Sequence, residues 1–228
     1  VAEGISDLPD EIKNNIAVVM LDTMGIYWTM KYPNEKEISL VREWGLDPRG
    51  LNITVYTPKG FYLQQKEEGI LTDKPFSIKP SELDASDWCL TFGIALTSPQ
   101  GVAIESIIEM LIEQKKDFGL KEIIAAIREN NDFPGEVKLS IINRFRNAER
   151  WGLFDDEGTP LHDLVKGGQV TVLDVSCYVT APGTQGLRAL VIGLIAEKLF
   201  VERMIARKGE EVQSIKETTH FLTEKSQE

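Results

Sequence analysis

Three short apolar runs constrain this chain more than any other feature. Ile16-Ala-Val-Val-Met-Leu21, Ile53-Thr-Val-Tyr56 and Val170-Thr-Val-Leu173 are continuous rather than alternating, and rich in β-branched residues. Asp22 closes the first, Pro58 and Gly60 follow the second, and Gly167-Gly168 precede the third. A strand covered on both faces reads as an unbroken run of this kind, because neither side meets water. The segments between the runs are long enough for helices, which parallel neighbours need to return the chain to the starting edge. The expected fold is α/β with parallel strands.

The middle of the chain changes period. Ile104, Ile107, Ile108 and Leu111 recur at helical spacing, as do Leu120, Ile123, Ile124 and Ile127, and then Leu139, Ile142, Phe145 and Ala148. Ser98-Pro99 opens the first of these helices and Pro134 the third. The pattern predicts an inserted helical subdomain over 81–165, between a first part of the α/β core at 1–80 and a return to it at 166–228. A long helix is expected over Gln185–Arg207, apolar around most of its circumference, with Arg203, Arg207 and Lys208 suiting its negative C-terminus. Beyond Gly209 the spacing of Val212, Ile215, Thr219 and Leu222 leaves a further helix or a connecting segment open.

Composition narrows the class. With 42% apolar and 27% charged residues the chain is an ordinary globular sequence rather than a disordered or collagen-like one. The longest apolar stretch, Ala189 to Ala196, is far short of a membrane span, and no basic-then-apolar leader opens the sequence. Cys89, Cys177, His162 and His220 do not form a zinc-ligand spacing, so a reduced, cytoplasmic setting is expected. The net charge of −11 argues against a free-standing nucleic-acid binder, though not against a ring with an acidic rim and a locally basic channel.

Asp22 is the leading candidate for chemistry. A carboxylate at the carboxyl end of a buried strand stands where open α/β sheets bind ligands. In phosphoryl-transfer enzymes such a group holds magnesium or positions water. Gly25 would let the backbone turn sharply beside it. Asp closing a strand is also common turn chemistry, and so is Asp174 with Ser176 after the third run. Arg188 suits either a phosphate contact or a structural ion pair. Pro182-Gly-Thr-Gln-Gly186 lacks the lysine of a phosphate loop and reads as a helix-capping turn. Lys138, Arg144, Arg146 and Arg150 are interrupted by Glu136 and Glu149, as on a solvated face. Trp28, Trp44, Trp88 and Trp151 are too dispersed for a base-stacking platform and suit packing.

Taken in order, these segments resemble a known family. Asp22-Thr-Met-Gly25-Ile26-Tyr27, the turn at Val55-Tyr-Thr-Pro58, the helical insertion, Gly168 to Ser176 and a helix bearing Lys198-Leu-Phe200 and Arg203 are similar to the HerA-type ATPases of the HerA–FtsK superfamily. The resemblance covers essentially the whole chain. Family members usually read Asp-Pro-His-Gly-Glu-Tyr, so Ile26 stands in place of Glu, a departure that points to a divergent archaeal branch. The resemblance implies a partial RecA-like P-loop NTPase core, ATP and Mg²⁺ as cofactors, Asp22 as a catalytic residue reaching the metal through water, and Gly25 in the nucleotide site. It also implies a hexameric ATPase that moves on double-stranded DNA and supplies an end-resection nuclease such as NurA in DNA repair.

The dipeptide Gly-Lys of the phosphate-binding loop occurs nowhere in the sequence. In the family that loop lies one helix ahead of the Asp-x-x-Gly strand, and a second acidic strand lies downstream. On that layout the chain is the middle of a motor core, not expected to hydrolyse ATP alone and prone to expose a sheet edge when isolated. Two other readings stay open: a non-catalytic assembly module related to the family, and an acid/base enzyme using Asp22 with Asp174.

Overall fold

The computed structural model describes residues 2–114, 117–179, 184 and 186–225, with side chains to residue 215. Two short helices, α1 (Ala2–Ser6) and α2 (Asp10–Lys13), lead into strand β1 (Val18–Asp22). A 3-10 turn (Tyr27–Lys31) and α3 (Ile38–Glu43) precede β2 (Ile53–Pro58), and α4 (Lys59–Glu67) connects it to β3 (Lys74–Phe76). Helices α5 (Ala85–Phe92), α6 (Pro99–Glu113), α7 (Leu120–Glu129), α8 (Gly135–Glu149) and α9 (Leu161–Leu164) follow. The chain then returns through β4 (Val170–Asp174) to α10 (Leu187–Lys225). Two units separate, Val1–Leu190 and Val191–Glu228.

All four strands are parallel, in the order β1-β4-β2-β3. The last strand of the chain therefore enters between the first and second. Burial follows this order. Every residue of β4 is buried and most of β2, whereas Val18 to Leu21 of β1 are only half-buried. The reading of the first run as a strand covered on both faces is corrected here: β1 is an edge strand among the described residues, and Ile16 and Ala17 precede it. β3 was not foreseen, since Lys74-Pro-Phe76 has neither run nor alternation. Proline is tolerated there because β3 is the other edge.

Helices α6 to α8 form where the apolar periods of the sequence put them. The Ser98 hydroxyl accepts from the Gly101 amide (3.1 Å) to start α6, and Asp84 and Asp87 form a reciprocal capping box on α5. Buried Ile104, Ile107 and Ile108 of α6 and Ile123, Ile124 and Ile127 of α7 occupy the expected faces. On α8 the buried stripe is Val137, Ile141, Ile142, Phe145 and Ala148. Leu139 is 59% exposed, one step off that face, contrary to its place in the sequence pattern.

Trp88 anchors this packing. It is fully buried, with ring centroids 5.0 Å from both Phe145 and Phe154 and 5.6 Å from Phe92. Trp151 joins through Phe92, so two of the four tryptophans are core residues, while Trp44 is 78% exposed. The chain after α8 meets the start of α4 at a glycine pair. The Gly60 amide donates to the Gly152 carbonyl (2.8 Å), and a Cβ on Gly60 would come within 2.6 Å of the Gly152 Cα. Any larger residue at either position would part the two backbones.

Helix α10 continues well past Arg207, and Gly209 does not end it. A lone glycine costs about 1 kcal/mol in a helix, too little to stop one this long.

Candidate functional site

The carboxyl edge of the sheet carries two aspartates side by side. β1 and β4 pair so that Asp22 stands opposite Asp174, in adjacent strands about 4.8 Å apart. The position of β4 between β1 and β2 creates this neighbourhood of two residues far apart in sequence. Both residues are 2% exposed.

Asp22 is engaged on both oxygens. Oδ1 accepts from the amides of Met24 (3.0 Å) and Gly25 (2.7 Å), and Oδ2 accepts from the amide of Tyr27 (2.7 Å). The carboxylate thus gathers three donors of its own loop, the third being the first residue of the 3-10 turn. A carboxylate offers roughly four lone-pair sites, so about one stays free. The Asp22 carbonyl accepts from the Val175 amide (2.9 Å), which ties the end of β1 to the residue after β4.

Gly25 makes the loop possible. Its φ is +70°, in the left-handed region where side chains are strained, and a Cβ there would lie 2.9 Å from the Ser176 Cβ. The Trp28 indole donates to the Gly25 carbonyl (3.0 Å), fixing the turn from its far side. On the neighbouring strand, Asp174 Oδ1 accepts from the Ser176 amide (2.9 Å). The Asp-x-Ser turn read from the sequence is therefore formed, and Ser176 has a second task as the surface against which Gly25 sits.

Between these fixed points the loop turns two apolar side chains to solvent, Met24 (74% exposed) and Ile26 (55%). Behind it, burial and then the Asp174 charge push the Cys177 thiol up to about 12, which keeps it protonated and unreactive at neutral pH. The Tyr178 hydroxyl, raised by burial, donates to the Trp151 carbonyl (3.0 Å) and links this edge to the helical region.

The other sequence candidates stand apart from the pair. Arg188 is half-buried on the first turn of α10, and no hydrogen bond or ion pair among the described residues joins it to either aspartate. Pro182, Gly183 and Gln185 lie outside the described residues. Lys138 caps α7, donating to the carbonyls of Arg128 (3.2 Å) and Asn130 (2.7 Å), and Arg144 bonds to Ser140. The basic cluster on α8 is therefore partly structural. The His162 side chain is 80% exposed. Among the described residues no group of three or more His, Cys, Asp or Glu side chains could hold a metal ion. An acid/base pair would need a carboxylate facing substrate, and both aspartates here face main-chain amides.

The order of these pieces, a parallel sheet with an Asp-x-x-Gly-x-Tyr turn at its carboxyl edge and helices inserted before the last strand, is matched by one family model. "Helicase HerA, central domain" matches residues 3–191. The chain belongs to this family. The HerA central domain is part of a helicase-type ATPase motor, and the α/β core expected from the sequence is the fold observed. The match ends just inside the second unit, so most of α10 lies beyond it. No curated protein matches the chain. Among the described residues no helix is long and apolar enough to cross a membrane.

Proposed function

We propose that the chain is part of an ATP-dependent DNA translocase or helicase motor. In the complete protein it would act as a hexameric ring on double-stranded DNA in the cytoplasm, passing ends to a resection nuclease of the NurA type during repair. The observation that carries this reading is the family match over residues 3–191, joined to a polar turn at the carboxyl edge of a parallel sheet. The division into core (1–80), helical insertion (81–165) and returning core (166–228) goes with it.

ATP with Mg²⁺ is the cofactor this reading requires, supplying the phosphoryl group and the charge that stabilises its transfer. Asp22 fits a supporting role better than a direct one. Three of its acceptor sites are taken by amides, which leaves room for one water between carboxylate and metal and not for a ligand set. What the residues of this chain do is hold position: Asp22 gathers the loop, Gly25 admits its close approach to Ser176, and the loop tip is presented at the sheet edge. The test is DNA-stimulated ATP hydrolysis by the natural full-length polypeptide. Turnover that rises with duplex DNA and falls in Asp22→Ala supports the motor; absence of MgATP binding would remove it.

One observation favours a second reading, a non-catalytic assembly module. Ile26 is exposed where the family usually carries Glu, and an apolar tip suits protein contact better than water or metal. Under that reading the full-length polypeptide binds no MgATP, yet the loop is equally well formed.

A further inference from the structure

The last of the three mutually packed helices α6, α7 and α8 turns to solvent a face that the motor reading leaves unused. Successive residues of a helix are about 100° apart. The buried stripe of α8 therefore takes one side, and Asn143, Arg146, Asn147 and Arg150, all exposed, come together on the other. No hydrogen bond or ion pair among the described residues engages these four side chains. The two asparagines stand one turn apart in the middle of the face, and the two arginines, also one turn apart, run along one flank. Arg144 stands on the other flank, where its guanidinium donates to the Ser140 hydroxyl (2.7 Å). Acids are set away from this face. α6 carries Glu105, Glu109 and Glu113 and no base, so the three-helix unit has an acidic helix and a basic one, which the net charge of −11 averages away. Glu149 lines a cleft with Lys121, Asp155 and Asp156. Glu136 shares the exposed face of α8 but lies about 15 Å along the axis from Arg146, beyond the screening length of about 8 Å at physiological salt.

We infer that this face of α8 binds duplex DNA through the major groove, with Asn143 and Asn147 at the base edges and Arg144, Arg146 and Arg150 on the phosphates to either side. The major groove of B-form DNA, about 12 Å wide, admits an α-helix, and an asparagine amide offers adenine the donor and acceptor that its N7 and N6 require. Guanidiniums on both flanks meet the two phosphate walls and supply the attraction that holds any helix there. Other occupants fit less well. A single strand is held by stacking on aromatic rings, and the exposed face of α8 has none. The deep, narrow major groove of an A-form RNA helix is closed to side chains. The centre of a protein interface is depleted in charge and rich in aromatic residues. Here Leu139 is the one large apolar residue exposed on α8. The contact goes beyond the motor reading, since it lies on the inserted helices rather than at the sheet edge, and it holds whether or not the chain turns over nucleotide.

Fluorescence anisotropy of the full chain with labelled random-sequence duplex DNA, at low salt and without nucleotide, tests the face. Micromolar binding is expected. Arg146→Gln with Arg150→Gln should weaken it by about tenfold or more and lower the slope of log affinity against log salt by about two. Arg207→Gln with Lys208→Gln takes the same charge from α10 and should leave binding unchanged. All four positions are exposed, and circular dichroism verifies each fold. Selection from a random duplex library should return a preferred site containing adenine. Asn143→Ala with Asn147→Ala should flatten that preference while random duplex still binds. No duplex binding, or equal losses in the two charge variants, would overturn the proposal. So would self-association of the chain that the Arg146 and Arg150 changes abolish without any DNA bound, which would make the face a protein contact. No recovered preference, or one untouched by the asparagine changes, would remove the base-reading role. No nucleotide enters, so these outcomes do not depend on whether the full-length polypeptide hydrolyses ATP.

Discussion

The aspartate loop after β1 and the helices α5 to α8 are held together by opposite means. In the helices, apolar side chains from several segments converge on Trp88, and hardly any polar atom takes part. The Trp88 indole nitrogen is the one buried side-chain N or O among the described residues without a hydrogen-bond partner. In the loop a single carboxylate gathers three amides, and the backbone passes so close to Ser176 that only glycine fits. Apolar packing of the first kind is spread over many contacts and tolerates small changes at most of them. The second kind is concentrated in two residues, and either change should undo it locally while the rest of the fold stands.

This contrast can be broken most forcefully at its apolar pole. Trp88→Ala removes the centre of the aromatic cluster and should cost about 3–5 kcal/mol in urea unfolding. Trp88→Phe, which also removes the unpartnered nitrogen, should cost less than about 1.5 kcal/mol. At the polar pole, Asp22→Ala should lower stability by roughly 2–4 kcal/mol, since bonds to a charged acceptor are worth about 1.5–3 kcal/mol each and the freed amides partly regain water. Gly25→Ala should cost about 1–3 kcal/mol through its positive φ and the Ser176 contact. Adding Ser176→Gly should recover part of that loss, a coupling that a double-mutant cycle reads directly.

The smallest effect belongs to the thiol behind the loop. The folded Cys177 titrates above its ordinary value of about 8.5, so its contribution to stability is complete below that pH and is lost as pH rises through about 12. Alkylation at pH 8.5 should therefore be more than about tenfold slower in the folded chain than in urea. Equal rates would mean that the edge behind the loop is open.

The two regions were also unequally legible in the sequence. Ile104 to Ile127 announced their helices because burial imposes a period on apolar residues, and Ser98-Pro99 marked a real start. The same rule misplaced Leu139, since a four-residue step and a three-residue step both lie near one helical turn and only packing chooses between them. β3 was illegible because three residues at a sheet edge carry no pattern. The motif Asp22-x-x-Gly25-x-Tyr27 was visible as a turn, with glycine correctly marked as the pivot. Its internal wiring was not, because the acceptor's three partners are main-chain amides, which no side-chain pattern encodes. Asp22 and Asp174 were associated in the sequence only as an acid/base pair; their register depends on β4 entering between β1 and β2, a fact of topology rather than of local sequence. Ile26 was marked as a departure from the family's Glu, and the structure places it exposed at the loop tip.

One carboxylate, Asp22, holds the loop at the carboxyl edge of the sheet, independently of the helices. Amide hydrogen exchange on the full chain tests it most directly. Slow exchange is expected at Met24, Gly25 and Tyr27, lost in Asp22→Ala while the amides of α6 to α8 keep their protection. Fast exchange at those three amides in the unaltered chain, or a loss of protection that spreads through α6 to α8 in the variant, would contradict it.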